Sequence, residues 1–205
     1  NTPKPLVKIK NKEIILYIIE YLEKFPLNNI YLATGFQSSK IKKFINKKKL
    51  NNKVKVINSG LDTDIIYRIK KCLNHINGDF LVLYGDTLSD VNINQLIYNS
   101  KKKNSLATMT VWNMPIDFGL VNYSKKYIAT AFNEKPKSNM WINIGYFYFN
   151  SILKKKINKY RYWEKFLKKL VEKKYLNVFI HNSLHITVNT LHELKNSEEK
   201  IKKLK

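Results

Sequence analysis

The sequence predicts an α/β fold: a Rossmann-like mixed, mostly parallel sheet with helices on both faces. Three observations predict it. Segments of strand and helix character alternate along the first half of the chain, the order that builds such sheets. Phe80-Leu81-Val82-Leu83 is a short apolar run with β-branched and aromatic residues, which reads as a buried strand. That run ends on Gly85 and Asp86, which puts a carboxylate at a carboxyl-terminal strand edge, where open α/β sheets bind ligands.

The elements follow in order. Leu6-Val7-Lys8-Ile9 is extended after Pro3 and Pro5, and Asn11 leads a helix whose Ile14, Ile15, Ile18, Ile19 and Leu22 fall at helical spacing, closed by Phe25-Pro26. Strand 29–34, helix 38–48, strand 53–58 and helix 63–76 come next, then the Asp86 strand, a helix near 92–102 and a strand at 105–112. From Asp117 the pattern changes to short strands at 118–123, 127–132 and 142–149. Helices at 151–158 and 161–173, strands at 176–181 and 185–188, and a helix from Thr190 complete the chain. Two hundred and five residues can bury one sizeable core, and the expectation is a single domain over 1–205.

The formal charge of +23 suggests nucleic acid. Yet only Arg68 and Arg161 are arginines among the 38 basic residues. A reader of phosphates and bases leans on arginine for bidentate contacts, so nucleic acid is not expected as a partner. The lysines read as solvated faces with a residual pull on anionic ligands. One cysteine, Cys72, excludes an internal disulfide. The apolar stretch Ile14–Ile19 is too short to span a bilayer, and no charged-then-apolar signal opens the chain. Cytoplasm, without membrane association, is the expectation. The spacing leaves a homo-oligomer open.

Asp86 and Asp90 share one short loop with Thr87 and Ser89. Hard cations such as Mg²⁺ take one or two carboxylates plus substrate phosphates. A surface turn whose Ser89 or Asp90 caps the next helix accounts for the same residues. Asn133-Glu134-Lys135-Pro136-Lys137 places an acid beside a lysine after a strand, and Trp141-Ile142-Asn143-Ile144-Gly145 opens another apolar strand with an amide and a glycine. Singly, these read as a surface turn and as core. Tyr160, Tyr162 and Trp163 could stack on bases, though packing of a helical pair explains them more simply. His181 and His185 read as surface or cap positions.

Taken in order, these segments resemble the sugar-1-phosphate nucleotidyltransferases, most closely the glucose-1-phosphate cytidylyltransferases. Thr2-Pro3-Lys4-Pro5-Leu6-Val7-Lys8-Ile9 resembles the family's P-K-P-M-V-x-I, and Asn11-Lys12-Glu13-Ile14-Ile15 its G-K-P-I-L. Asn58-Ser59-Gly60-Leu61-Asp62-Thr63 with Arg68 resembles D-T-G-x-x-T-x-T-G-G-R, and Tyr84-Gly85-Asp86-Thr87-Leu88-Ser89-Asp90-Val91 is similar to Y-G-D-G-V-S-D-V. Phe132-Asn133-Glu134-Lys135-Pro136-Lys137 resembles F-x-E-K-P-K, and Trp141–Gly145 resembles W-I-N-G-G.

The resemblance implies a sheet of the nucleotide-diphospho-sugar transferase type, and transfer of a nucleotidyl group, CMP favoured, from a nucleoside triphosphate to a sugar 1-phosphate in polysaccharide biosynthesis. It implies Lys4 and Asp86 as catalytic residues, and Ser59, Gly60, Thr63, Arg68 and Gly85 as nucleotide-binding. Glu134, Lys135, Asn143 and Gly145 would hold the sugar phosphate. Mg²⁺ is the implied cofactor, on Asp86 and Asn189.

The chain also departs from the pattern. The family opens with a glycine-rich G-G-x-G-T-R loop that cradles the triphosphate, and this sequence begins after it, so the expectation is an N-terminally truncated member. Ile65-Ile66-Tyr67 is bulky where the family has T-G-G. In His181-Asn182-Ser183-Leu184-His185-Ile186-Thr187-Val188-Asn189-Thr190, Asn189 stands where the family's H-x-G-F-W-x-x-x-D-T has its second magnesium carboxylate. The alternative function is therefore a truncated or non-catalytic relative that retains ligand binding only.

Overall fold

A 3-10 turn at Lys4–Leu6 opens the fold, set by prolines whose fixed φ suits a first turn and whose missing N–H costs nothing there. The computed structural model describes residues 2–188 and 191–204. Two short strands, β1 (Lys8–Ile9) and β2 (Lys12–Glu13), pair antiparallel around Lys10 at φ 55. This ribbon replaces the single extended segment expected here. It also consumes Asn11–Glu13, so α1 spans Ile14–Leu22 rather than starting at Asn11.

β3 (Ile30–Thr34), α2 (Ser38–Lys47), β4 (Val54–Asn58), α3 (Ile65–Leu73) and β5 (Phe80–Leu83) follow in the expected order. A strand not expected from sequence, β6 (Thr87–Ser89), precedes α4 (Ile93–Lys102). Then come β7 (Ala107–Asn113), the ribbon β8 (Leu120–Tyr123) and β9 (Ala129–Asn133), and the long β10 (Trp141–Phe149). Helices α5 (Leu153–Ile157) and α6 (Trp163–Glu172), strands β11 (Leu176–His181) and β12 (His185–Thr187), and α7 (Leu191–Lys200) complete it.

The main sheet has the order β11-β7-β10-β5. β11 runs parallel to β7, while β10 runs antiparallel to both β7 and β5. Three of its strands therefore point one way and β10 is the reversed member, which makes the sheet mixed. β3 and β4 form a separate parallel pair among the described residues.

Period-two alternation along the central strands assigns their side chains to two faces. On one face Phe80 and Val82, Ala107 and Met109, and Phe147 and Phe149 meet α3, α5 and α6. On the other, Leu81 and Leu83 with Ile144, Tyr146 and Tyr148 meet α4 and the end of α1. Helices thus cover both faces, as expected. The β3–β4 pair is covered by α1 and α2 through Ile15, Ile19, Ile41 and Ile45.

A further cluster decides where the site lies. Ile9 of β1 and Ile14 of α1 pack with Leu88 of β6 and Ile186 of β12, the first three almost fully buried. Burying each such side chain is worth about 1.5–3 kcal/mol. This packing draws the amino-terminal turn onto the segment after β5. No helix among the described residues is long and apolar enough to cross a membrane.

Candidate active site

The centre of the site is the end of β5. Tyr84 donates its backbone N–H to the carbonyl of Gly145 at 3.0 Å. Gly145 has φ 78, and a Cβ built there would lie 2.5 Å from the Tyr84 ring. Only glycine meets both conditions. The Asn143 side-chain oxygen accepts the Gly145 N–H at 2.8 Å, within a stretch where β10 shifts register against β7. Trp163, at the start of α6, donates its indole N–H to the Tyr84 hydroxyl at 3.0 Å. Two elements, β10 and α6, therefore converge on Tyr84, directly before Gly85 and Asp86. A Cβ at Gly85 would meet nothing within 4 Å, so the space over this residue is open.

Lys4 Nζ lies 2.6 Å from Asp86 Oδ2, with both side chains 38% exposed. An ion pair this exposed contributes about 0.2–1 kcal/mol, less than the burial of Ile9 or Leu88 alone. Apolar packing joins the two segments, and the pair is its consequence. Among the described residues the other carboxylate oxygen receives only the Thr87 hydroxyl, at 3.4 Å. β6 pairs antiparallel with β12, Thr87 opposite Thr187, so the end of β12 lies opposite the residue that follows Asp86. Asn189, the expected second metal ligand, lies outside the described residues.

The segment 86–90 is not a surface turn, and neither Ser89 nor Asp90 caps the following helix. Thr87, Leu88 and Ser89 are buried in β6. The cap of α4 is Asn92, whose side chain accepts the Gln95 N–H at 3.0 Å. Asp90 instead meets the chain between β11 and β12. Its Oδ2 accepts the Ser183 hydroxyl at 2.7 Å, and its Oδ1 lies 3.1 Å from His181 Nε2 without hydrogen-bond alignment. His181 is buried, which corrects the surface expectation. His185 is drawn inward too: burial, helped by His181 and Lys200, pushes its pKa down to about 4.

A second cluster forms at the ends of β3 and β4. Ser59 donates its N–H to the Thr34 carbonyl at 2.7 Å, and Asn58 accepts the N–H of Gly60, which has φ 87. Arg68 donates its Nε–H to both the carbonyl and the hydroxyl of Thr63 at 3.1 Å. Ser59, Gly60, Thr63 and Arg68 are thus neighbours. A Cβ at Gly35 would lie 2.4 Å from the Gly60 carbonyl oxygen, so the β3 end closes directly on this loop. Of the bulky triplet, Ile66 is buried in the core, while Ile65 and Tyr67 are exposed. A cavity of about 450 Å³ next to this loop shares Thr63 with it and is lined also by Lys70, Arg161 and Tyr162, but by neither Lys4 nor Asp86.

Glu134 and Lys135 leave β9 on an exposed ribbon, with Lys135 at φ 42. Among the described residues neither hydrogen-bonds nor ion-pairs with Asp86 or Asn143. Gly119, which the sequence reading passed over, fits here: a Cβ would lie 2.9 Å from a Glu134 carboxylate oxygen and 2.6 Å from the Phe132 ring.

Residues 1–185 match the family model described as nucleotidyl transferase. The chain belongs to that family. It is 34% identical to the bifunctional protein GlmU of Methanococcus aeolicus, over 74% of this chain and 36% of that protein. It is 28% identical to a probable glucose-1-phosphate cytidylyltransferase of Bacillus subtilis, over 71% of this chain and 65% of that one. The chain therefore spans about a third of the GlmU relative and just under two thirds of the other. The crystal structure of HddC from Yersinia pseudotuberculosis superposes with a TM-score of 0.75 at 22% identity, covering 98% of this chain and 90% of that one, which shows the fold.

Within this nucleotidyl transferase fold the described residues offer no group of three or more His, Cys, Asp or Glu that could hold a metal ion. What they offer is one half-exposed carboxylate, Asp86, already holding a cationic group in the Lys4 ammonium. That donor set suits a hard cation that takes a single protein carboxylate and completes its octahedron with phosphates and water. It does not suit a metal held by protein alone. Gly35 and Gly119 carry no sequence signal beyond being glycines at strand ends. Asp90 and His181 are legible as a pair only once the ends of β6 and β11 are seen side by side.

Proposed function

We propose that this chain binds a nucleoside triphosphate, CTP favoured, with a sugar 1-phosphate and joins them into a nucleotide sugar. The observation that supports this most is the meeting of Lys4 with Asp86 next to the Tyr84–Gly145 contact. It sets a cationic group, a carboxylate and an open stretch of backbone at the carboxyl end of a strand, where phosphates bind in α/β sheets.

In this reading the sugar phosphate's own oxygen attacks the α-phosphorus of the nucleotide. A new P–O bond forms as the bond to the β-phosphate oxygen breaks, and pyrophosphate leaves with that electron pair. No protein nucleophile or base is required, and catalysis is positioning plus charge neutralisation. Lys4 faces the phosphates, and Lys135 holds the sugar phosphate. Glu134 and Asn143 hydrogen-bond sugar hydroxyls, with Gly145 fixing Asn143 in place. Ser59, Gly60, Thr63 and Arg68 flank the nucleotide, and Gly85 leaves room for it. Mg²⁺, when bound through Asp86, would offset charge on the phosphates, with Asn189 a further oxygen donor.

The preference for CTP rests on the Asn58–Thr63 and Arg68 stretch and on the cytidylyltransferase relative. The test is calorimetry of CTP, UTP, GTP and dTTP with Mg²⁺, followed by pyrophosphate release with glucose 1-phosphate. CTP binding tightest with release above background supports the reading. A second reading, binding without turnover, is favoured by the single carboxylate at the site among the described residues. Binding with no pyrophosphate release supports it, and absence of nucleotide binding removes both.

A further inference from the structure

We propose that Lys4 and the divalent cation compete for the Asp86 carboxylate, so that the site takes up metal together with nucleotide and resists metal alone. This rests on the reading of Asp86 as metal ligand and Lys4 as phosphate contact.

Three observations carry it. The Lys4 ammonium stands 2.6 Å from Asp86 Oδ2, so one of the two oxygens a cation would use is already taken by a positive charge. Among the described residues the other accepts only a long contact from Thr87 at 3.4 Å, near the outer limit of a hydrogen bond. Asp90, the nearest carboxylate in sequence, has its Oδ2 held by the Ser183 hydroxyl and its Oδ1 3.1 Å from His181 Nε2, and it makes no contact with Lys4 among the described residues. A bare divalent ion arriving here meets one carboxylate whose charge is already shared with an ammonium.

The backbone beneath Lys4 favours an exchange made by the side chain alone. Leu6 donates to the Pro3 carbonyl at 2.8 Å and Val7 to the Lys4 carbonyl at 3.1 Å, closing a turn flanked by two prolines. The lysine head is a compact charge on a flexible four-carbon stem, so it can leave Asp86 while the turn stays closed. A triphosphate offers it a partner of higher negative charge than one carboxylate. Once Lys4 moves to phosphate, Asp86 is released to the cation that the phosphates also bind. Metal and nucleotide therefore raise each other's affinity, and by linkage each does so by the same factor.

The test uses the 205-residue chain, with Mn²⁺ as the probe metal followed by paramagnetic resonance, with and without CTP, in the parent, Lys4→Met and Asp86→Asn. Without nucleotide, Lys4→Met should bind Mn²⁺ about 1.4- to fivefold tighter than the parent, the range that an ion pair of this exposure supports. With CTP present, the parent should gain more Mn²⁺ affinity than Lys4→Met does. Unchanged or weaker Mn²⁺ binding in Lys4→Met, while Asp86→Asn abolishes it, overturns the competition and leaves the metal assignment standing. Unchanged Mn²⁺ binding in Asp86→Asn overturns the metal assignment itself and the competition with it. Lys4→Gln serves as the second variant should Lys4→Met fail to give a cooperative melt.

Discussion

The ring of Tyr84 occupies the space that any side chain at position 145 would need, with ring carbons 2.5 Å from a Cβ built on Gly145. Because Tyr84 precedes Gly85-Asp86, this contact fixes the direction in which the chain leaves β5. Gly145→Ala meets both the φ 78 penalty and the ring, and strained backbone alone costs about 1–3 kcal/mol. We expect a lower urea midpoint and weaker ligand binding together. Gly85→Ala adds a methyl to open space, so it should leave the unfolding free energy within about 1 kcal/mol of the parent. Equal destabilisation by the two substitutions would show that the Tyr84 contact does not order the loop.

Asp86 and Asp90 should separate cleanly. Asp86→Ala removes a half-exposed carboxylate whose strongest partner is an exposed ammonium. Stability should hold while Mg²⁺-dependent nucleotide binding falls. Asp90→Ala strips the Ser183 hydroxyl of its acceptor and His181 of its neighbour, and orphaned polar groups cost about 1–3 kcal/mol. Stability should fall, and binding less so. Calorimetry with chemical denaturation on both variants checks this. A larger binding loss at Asp90 would reverse the assignment.

His185 gives the fold a pH dependence of defined sign. Its folded pKa is pushed down to about 4 by burial first, then by His181 and Lys200, whereas an unfolded histidine titrates near 6.5. Between those values the unfolded chain binds the extra proton, so stability falls as pH drops from about 6.5 towards 4 and is unaffected above that window. Urea midpoints at pH 7.5, 6 and 5 should decline for the parent more steeply than for His185→Gln. Parallel profiles would mean that other groups set the acid limb.

The helices and the apolar strands were legible because their patterns are dictated by burial. Phe80–Leu83 and Tyr146–Phe149 are covered on both faces and read as apolar runs. The β1–β2 ribbon was not legible: strands of Lys8–Ile9 and Lys12–Glu13 turning on a positive-φ lysine offer neither period nor glycine. Thr87–Ser89 was misread because its polar residues look like a turn, whereas pairing with β12 buries them. Nor can an apolar run announce that β10 is reversed, since a strand buried on both faces reads the same in either direction. At the site, residue types pointed to phosphate chemistry, but the Lys4–Asp86 pair spans 82 positions and forms only because Ile9, Ile14 and Leu88 pack together. The Gly35–Gly60 and Gly119–Glu134 approaches are invisible for the same reason: each depends on two separate segments meeting.

Lys135 and Asn143 are both assigned to the sugar phosphate, yet they should fail in different ways. Lys135 is exposed on the outgoing end of a ribbon whose strand residues are exposed throughout, so Lys135→Ala should leave the urea midpoint unchanged. If Lys135 grips the phosphate, a charge-assisted bond of about 1.5–3 kcal/mol is lost, a ten- to hundredfold drop in affinity for glucose 1-phosphate. Asn143 also accepts the Gly145 N–H. Asn143→Ala should therefore lower both the unfolding free energy, by about 1 kcal/mol, with the midpoint falling accordingly, and the affinity. Asn143→Asp, which keeps the acceptor, should restore the midpoint but not the affinity, since it puts a negative charge beside the phosphate. Calorimetric titration with glucose 1-phosphate beside urea melts of the three variants makes the comparison. Parent-like binding by Lys135→Ala would remove this lysine from the sugar-phosphate site, and an Asn143→Asp midpoint as low as that of Asn143→Ala would show that the bond to Gly145 does not hold the bulge.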